Sequence, residues 1–209
     1  MKVLVLGAAG KTGSAVVAQA RAAGHEVTAF VHTTDGYDAP PGVVVRVGDA
    51  TDPHGVGGLV AGQDAVIDTI GGTTPYKKDV TLERDTAAAV ITAMRENGVR
   101  RLVVTSMVGV GDSIASSTAF ERLLLKTFLR GATPDKAALE AEVETSGLDW
   151  TVVRPAVLTD DDPTGAVRTY EPASGEKARK ISRADLATFL VGQLDDATHL
   201  GRAVTVATS

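Results

Sequence analysis

The segment Gly7-Ala8-Ala9-Gly10-Lys11-Thr12-Gly13 carries the sharpest chemical signal in the chain. It follows the apolar run Val3-Leu4-Val5-Leu6 and opens an alanine-rich helical stretch. Small residues at such a junction let the backbone approach an anion closely. The helix N-terminus adds unsatisfied N–H donors and about half a positive charge. The G-x-x-G-x-x-G spacing therefore predicts phosphate binding, against the plain alternative of a tight strand-to-helix turn. Gly10-Lys11-Thr12 also matches the end of the nucleoside-triphosphate motif G-x-x-x-x-G-K-[ST]. That motif needs its first glycine at position 5, where Val5 stands inside the strand, so the loop is too short for it. Asp68, after Ala65-Val66-Ile67, resembles the acid of such a site, but hydrophobic runs ending in Asp are frequent in α/β proteins.

Other constellations are thin. His25, His32, His54 and His199 have no ligand spacing, and the chain has no cysteine. Disulfide frameworks, zinc-thiolate sites, iron–sulfur clusters and thiol nucleophiles are thereby excluded. A net charge of −5 argues against nucleic acid as a partner. No uncharged apolar run approaches the ~18 residues of a membrane span. The apolar stretch after Met1-Lys2 is too short for a signal peptide, so a soluble, cytoplasmic protein with no membrane partner is expected.

The elements that must position the glycine loop alternate along the chain. Strands are predicted at Val3–Leu6, Val27–Val31, Val43–Val47, Asp64–Ile70, Leu102–Thr105, Trp150–Val153 and Ala203–Val206. Helices are predicted over 11–23, 52–61, 79–97 and 182–194, and over 113–146 with a break near Gly131 and Pro134. Arg154-Pro155 is expected to stop the sixth strand, and 160–180 to form a polar loop. This alternation predicts a doubly wound, mostly parallel α/β sheet. The 209 residues fit one domain at about 150 residues per domain, with a small C-terminal lobe built from the loops after strands five and six.

Five segments in this order resemble one family. They are Gly7 to Gly13, Gly48-Asp49-Ala50, Arg101-Leu102-Val103-Val104-Thr105-Ser106, Gly147-Leu148-Asp149-Trp150-Thr151-Val152-Val153-Arg154-Pro155, and Ile181-Ser182-Arg183-Ala184-Asp185-Leu186-Ala187. The chain is similar to the atypical short-chain dehydrogenase/reductases, in the NAD(P)H-binding group of biliverdin-IXβ/flavin reductases and NmrA-like proteins. The resemblance implies a Rossmann sheet. It also implies that Gly7, Ala9, Gly10, Lys11 and Thr12 hold the pyrophosphate and adenosine phosphate. Asp49 and Ala50 would border the adenine, although Asp49 also reads as a turn or helix-cap residue. Ile70, Gly71 and Gly72 would run beside the ribose and nicotinamide, with Pro155 behind the nicotinamide ring. NAD-specific folds place a carboxylate about 20 residues beyond the glycine loop. Here that point reads Phe30-Val31-His32-Thr33-Thr34, with no acid before Asp35. NADP(H) is therefore expected over NAD(H), with Lys11, His32 and Thr33 facing the 2′-phosphate.

One departure matters. The better-known branch of the superfamily uses a Tyr-x-x-x-Lys pair after strand five. Lys136 fits the lysine, but Ala132 stands four residues earlier, and no Tyr lies between Tyr76 and Tyr170. The catalytic candidates left are Ser106 and Lys136. Ser106 reads either as a partner for a substrate carbonyl or nicotinamide amide, or as a strand-end hydroxyl satisfying backbone. Lys136 reads equally as a solvated surface lysine. Arg183 and Asp185 are expected to pair structurally, and Asp160-Asp161-Asp162 to be a solvated loop. Phe120, Leu123, Leu124, Leu125, Phe128 and Leu129 form an apolar face read as core, with a substrate wall or dimer contact as the alternatives.

These residues lead to an expected NADPH-dependent reductase that passes hydride to a conjugated small molecule such as a flavin, quinone or tetrapyrrole. The alternative is an NmrA-like redox sensor that binds the dinucleotide without turnover. An epimerase or dehydratase suffers from the missing tyrosine. A monomer or homodimer is expected.

Overall fold

The first strand, β1 (Lys2–Leu6), sends alternate side chains to opposite faces. Val3 and Val5 enter one layer with Val16, Val17 and Leu190, while Leu4 and Leu6 enter the other with Val90 and Met94. All four are 0% exposed, as a strand covered on both faces requires. The computed structural model describes residues 1–72, 80–116, 122–123, 127, 130–171 and 176–208.

The strands that follow are β2 (Glu26–Val31), β3 (Val44–Val47), β4 (Ala65–Asp68), β5 (Arg101–Thr105), β6 (Asp149–Pro155), β7 (Val157–Thr159), β8 (Val167–Tyr170), β9 (Lys180–Ser182) and β10 (Arg202–Thr208). Seven of them join β1 in one eight-stranded sheet, in the order β3-β2-β1-β4-β5-β6-β10-β8. All neighbours run parallel except β8, which lies antiparallel on β10. Strands β7 and β9 pair in a separate two-stranded parallel sheet. Helices α1 (Lys11–Ala22) and α5 (Arg183–Gly192) cover one face. The other face carries α2 (Pro53–Val60), α3 (Leu82–Asn97) and α4 (Ala132–Glu144).

The expected doubly wound, mostly parallel sheet is present, with some local corrections. Strand β6 does not stop before Arg154-Pro155 but runs through both, pairing them with Thr205 and Val206 of β10. The expected polar loop over 160–180 contains β8, an edge strand whose Val-Arg-Thr-Tyr pattern lacks a continuous apolar run. In the long helical pattern after residue 113, Gly111–Ser116 form a 3-10 turn, residues 122–123 are α-helical, and α4 runs from Ala132; most of 117–131 lies outside the described residues. Pro134 does not break α4, because it sits in the first turn, where an N–H has no helical partner. Of the expected apolar face, Leu123 is 61% exposed, and its other members lie outside the described residues.

The sheet order fixes where a ligand fits. From β1 the chain winds outward through β2 and β3, then crosses back to β4 on the other side of β1. Connections leaving β1 and β4 therefore diverge, opening a crevice at the carboxyl ends of these strands. No helix among the described residues is long and apolar enough to cross a membrane.

Candidate functional site

The glycine loop leaves β1 at that crevice. Gly7 has φ +71°, a left-handed conformation that favours glycine, and its carbonyl accepts the Gly10 N–H at 2.9 Å. A methyl group on Gly13 would overlap the Gly7 carbonyl oxygen and meet Thr69 Oγ1 at 2.8 Å. Gly13 thus seats α1 against the loop. At Gly10 a Cβ would find the Gly7 oxygen at 3.2 Å and no other heavy atom within 4 Å. Gly10 caps α1 without a side-chain hydrogen bond, so the first-turn N–H groups remain available to an anion. This cradle fits a diphosphate.

Beside it lies a cleft of about 430 Å³. Thr12, Ile70, Gly71, Gly72, Ser106, Lys136 and Pro155 all line it, so residues from four separate expectations meet in one cleft. Met107, Val108, Ala156, Val157, Leu158 and Leu186 give it apolar sides. Gly7, Ala9, Gly10 and Lys11 adjoin it through Thr12. His32 and Thr33 follow β2, and Asp49 and Ala50 follow β3, so both pairs stand farther along the same edge of the sheet. His32 and Thr33 are exposed, and Ala50 is buried in the core layer that includes Phe30. The Asp49 Oδ1 atom accepts from Thr51 N at 2.9 Å and Thr51 Oγ1 at 2.7 Å. These bonds, with His32 nearby, hold its carboxyl below the usual range. Its turn role is therefore realised.

Ser106 is 4% exposed, and its Oγ has no hydrogen-bond partner. The strand-end alternative, a hydroxyl satisfying backbone, is thereby excluded. An unpartnered buried hydroxyl at a cleft wall awaits a ligand group. Lys136 is not a solvated surface lysine. Its side chain is 11% exposed, and its ammonium is hydrogen-bonded to Glu83 and, at 3.3 Å, to the Thr105 carbonyl.

Glu83 is the residue that sequence reasoning missed. It is 2% exposed, lines the cleft, and accepts the Gly72 N–H at 3.1 Å. The available signal was its phase: Glu83, Thr86, Ala87, Val90 and Met94 form one buried helical stripe. Asp135 locks α4 onto α3 by accepting Glu83 N at 3.0 Å and Arg84 N at 3.1 Å. Behind the wall, Asp68 is 3% exposed. Burial pushes its carboxyl up to about 7, and Glu83 adds to the rise; the Ile70 N–H and Lys136 oppose it.

The expected Arg183–Asp185 pair does not form. Asp185 instead accepts Thr164 N at 2.9 Å, Gly165 N at 2.9 Å and Ser182 Oγ at 3.1 Å. Arg183 turns outward to Asp160, which also takes the Lys11 ammonium at 2.6 Å. Asp161 pairs with Lys180 at 2.8 Å. The expected acidic loop is solvated, with Asp160, Asp161 and Asp162 all exposed, and its surface ion pairs also strap it to the glycine loop. Local composition cannot reveal this, because Lys11 and Asp160 are 149 positions apart.

Comparison with known proteins agrees with this geometry. The sequence profile of a family described as NAD(P)H-binding matches residues 7–197. A Bacillus subtilis (strain 168) protein described as uncharacterized sugar epimerase YhfK is 27% identical over 209 residues, spanning 97% of this chain and 92% of its own. ChuY from Escherichia coli O157:H7, described as an anaerobillin reductase, is similar in structure with a TM-score of 0.80 and 24% identity, covering 100% of this chain and 97% of that one. A short-chain dehydrogenase/reductase from Veillonella parvula in complex with NADP gives a TM-score of 0.81 at 18% identity, with 99% and 94% covered. At these identities the two structures establish likeness of fold. With the profile spanning nearly the whole chain and the glycine cradle at the crevice, this protein belongs to the NAD(P)H-binding family.

Proposed function

We propose that the protein is an NADPH-dependent reductase that passes hydride to a conjugated acceptor such as a flavin, quinone or linear tetrapyrrole. The observation that carries this reading is the cleft itself. Its lining is mostly apolar, and its polar side chains include Ser106 and the Glu83–Lys136 pair. A flat conjugated molecule suits such a slot, with a carbonyl turned to Ser106 and Lys136.

The dinucleotide, when bound, supplies a hydride from its nicotinamide ring. The chain supplies position and electrostatics. Gly7, Ala9, Gly10, Lys11 and Thr12 hold the diphosphate and the adenosine phosphate at the open end of α1, with the Lys11 ammonium on the adenosine phosphate. Ile70, Gly71, Gly72 and Pro155 flank the ribose and nicotinamide, while Asp49 and Ala50 border the adenine. Lys11, His32 and Thr33 favour the 2′-phosphate of NADP(H), and no carboxylate stands at the end of β2 before Asp35. Ser106 donates its unpartnered hydroxyl to the acceptor. The NADP complex of the Veillonella neighbour and the reductase name of the Escherichia coli neighbour support this reading. The epimerase name of the Bacillus relative suits it less well, because Ala132 stands where a catalytic tyrosine is needed.

The test is consumption of NADPH and NADH with a panel of flavins, quinones and linear tetrapyrroles. Acceptor-dependent oxidation with NADPH favoured is expected. Dinucleotide binding without oxidation across the panel would instead indicate a redox sensor.

A further inference from the structure

Three ionisable side chains meet at the inner wall of the cleft. Glu83 takes the Gly72 N–H on Oε1 and the Lys136 ammonium on Oε2. The ammonium also reaches the Thr105 carbonyl, so two of its three protons have protein partners. Asp68 stands behind this pair and senses both members: Glu83 as a like charge, Lys136 as an opposite one. The nearby Asp135 carboxylate is occupied by the first N–H groups of α3. Among the described cleft-lining residues Lys136 is the only cation. A wall with a lysine held on two sides, and no tyrosine at the position of Ala132, contains a different acid from the one the Tyr-x-x-x-Lys branch uses.

We propose that Lys136 is the proton donor of the reduction and that Glu83 is the residue that positions it. This rests on the reductase reading above. Hydride and its electron pair add to a carbon of the acceptor, which is reduced by two electrons while the dinucleotide is oxidised by two. The π pair of the acceptor's C=O or C=N shifts to the heteroatom, which takes a proton from the Lys136 ammonium. The neutral amine regains a proton from water at the cleft mouth. Glu83 keeps the ammonium against the wall through charge and hydrogen bonding. Its other oxygen holds Gly72, so donor and cofactor-facing loop are fixed by one carboxylate.

The experiment uses the whole protein with NADPH and menadione, a quinone. Lys136→Met is expected to lower kcat by about 100-fold or more, the usual scale of positioned acid catalysis, while the calorimetric Kd for NADPH changes little. Glu83→Gln is expected to lower kcat by about 10-fold. Lys136→Arg keeps the charge but holds its proton too tightly to give it up, so it should not rescue turnover. Removing one partner of a buried pair can unfold a protein, so Glu83→Gln/Lys136→Met, which removes both charges, provides a second variant. It should fold and be as slow as Lys136→Met. In the protein without dinucleotide, carbon-13 NMR of the Asp68 carboxyl gives a readout independent of turnover. Glu83→Gln should move its titration down and Lys136→Met should move it up.

Restored kcat in Lys136→Arg, or unchanged kcat in Lys136→Met or the double variant, overturns the proposal and leaves the reductase reading intact. An Asp68 titration unmoved by either single variant overturns the cluster itself. A native protein that binds NADPH but oxidises it with no acceptor removes the reductase reading, and proton delivery falls with it.

Discussion

The Lys11 ammonium lies 2.6 Å from a carboxylate oxygen of Asp160, and Arg183 holds the other oxygen of the same group. The Lys11 hydrogen bond keeps the Asp160 carboxyl below the usual range, with Arg183 acting in the same direction. An anionic strap therefore occupies a cation that the proposed function assigns to phosphate. Exposed ion pairs are weak, and a phosphate offers the stronger acceptor. Asp160→Asn should tighten NADPH binding severalfold in calorimetry, because it removes the competitor. Lys11→Ala should weaken NADPH by roughly 10- to 150-fold, with little change for NADH. Weaker binding in Asp160→Asn would make the strap a clasp rather than a competitor. Equal loss of both dinucleotides in Lys11→Ala would move Lys11 away from the 2′-phosphate.

The glycines of the loop divide their work. A Cβ on Gly10 would meet only the Gly7 oxygen, at 3.2 Å, and would face the anion cradle, whereas one on Gly13 would overlap the Gly7 backbone. Gly10→Val should abolish NADPH binding and leave the melting temperature near that of the native protein. Gly13→Ala should lower stability by about 1–3 kcal/mol, through a forced shift of α1 against the loop. Chemical denaturation and calorimetry on the two variants separate the roles. A Gly13→Ala protein as stable as native would contradict this packing.

Ser106→Ala removes a hydroxyl that has no protein partner. Stability should stay level or rise slightly, since no internal hydrogen bond is lost. Turnover should slow by roughly tenfold or less, the worth of one neutral hydrogen bond to the acceptor. Complete loss of activity in a folded variant would assign Ser106 a larger chemical role.

Asp68 makes stability depend on pH in a defined direction. Its carboxyl is raised to about 7 in the folded protein, chiefly by burial. An acid raised on folding binds its proton more tightly in the folded state. Its contribution is fully present below the unfolded carboxylate range and is lost as pH rises through about 7. Asp68→Asn, which cannot ionise, should therefore gain in melting temperature relative to the native protein between pH 5 and pH 8. A constant difference across that range would mean that Asp68 is not raised.

Much of the frame was legible before the structure. Val3 to Leu6 is apolar at every position because both faces of β1 are covered, and this marks a parallel strand directly. Gly98, at φ +69°, ends α3 where Asn97-Gly98 indicated. Strand β8 was hidden because an edge strand needs one partner and one buried face, so Val167 to Tyr170 carries no continuous apolar signal. In the site, Gly7 to Gly13 could be read because local backbone geometry demands those residue types. Glu83 could not be read as easily, because acids are ordinary in a first helical turn. Its burial depends on Lys136, 53 positions later, and on the docking of α4 by Asp135. Long-range charge pairs leave little local trace.

Hydride transfer in the cleft can be measured directly by a single turnover. Enzyme loaded with NADPH, with and without deuterium at the transferable nicotinamide C4 position, is mixed with an excess of the best acceptor from the panel. Absorbance of the reduced nicotinamide is then followed in time. Acceptor-dependent decay, slower with deuterium and absent in Gly10→Val, is the expected result. Bound NADPH that persists unoxidised beside every acceptor would contradict a reductase and leave a dinucleotide-binding sensor.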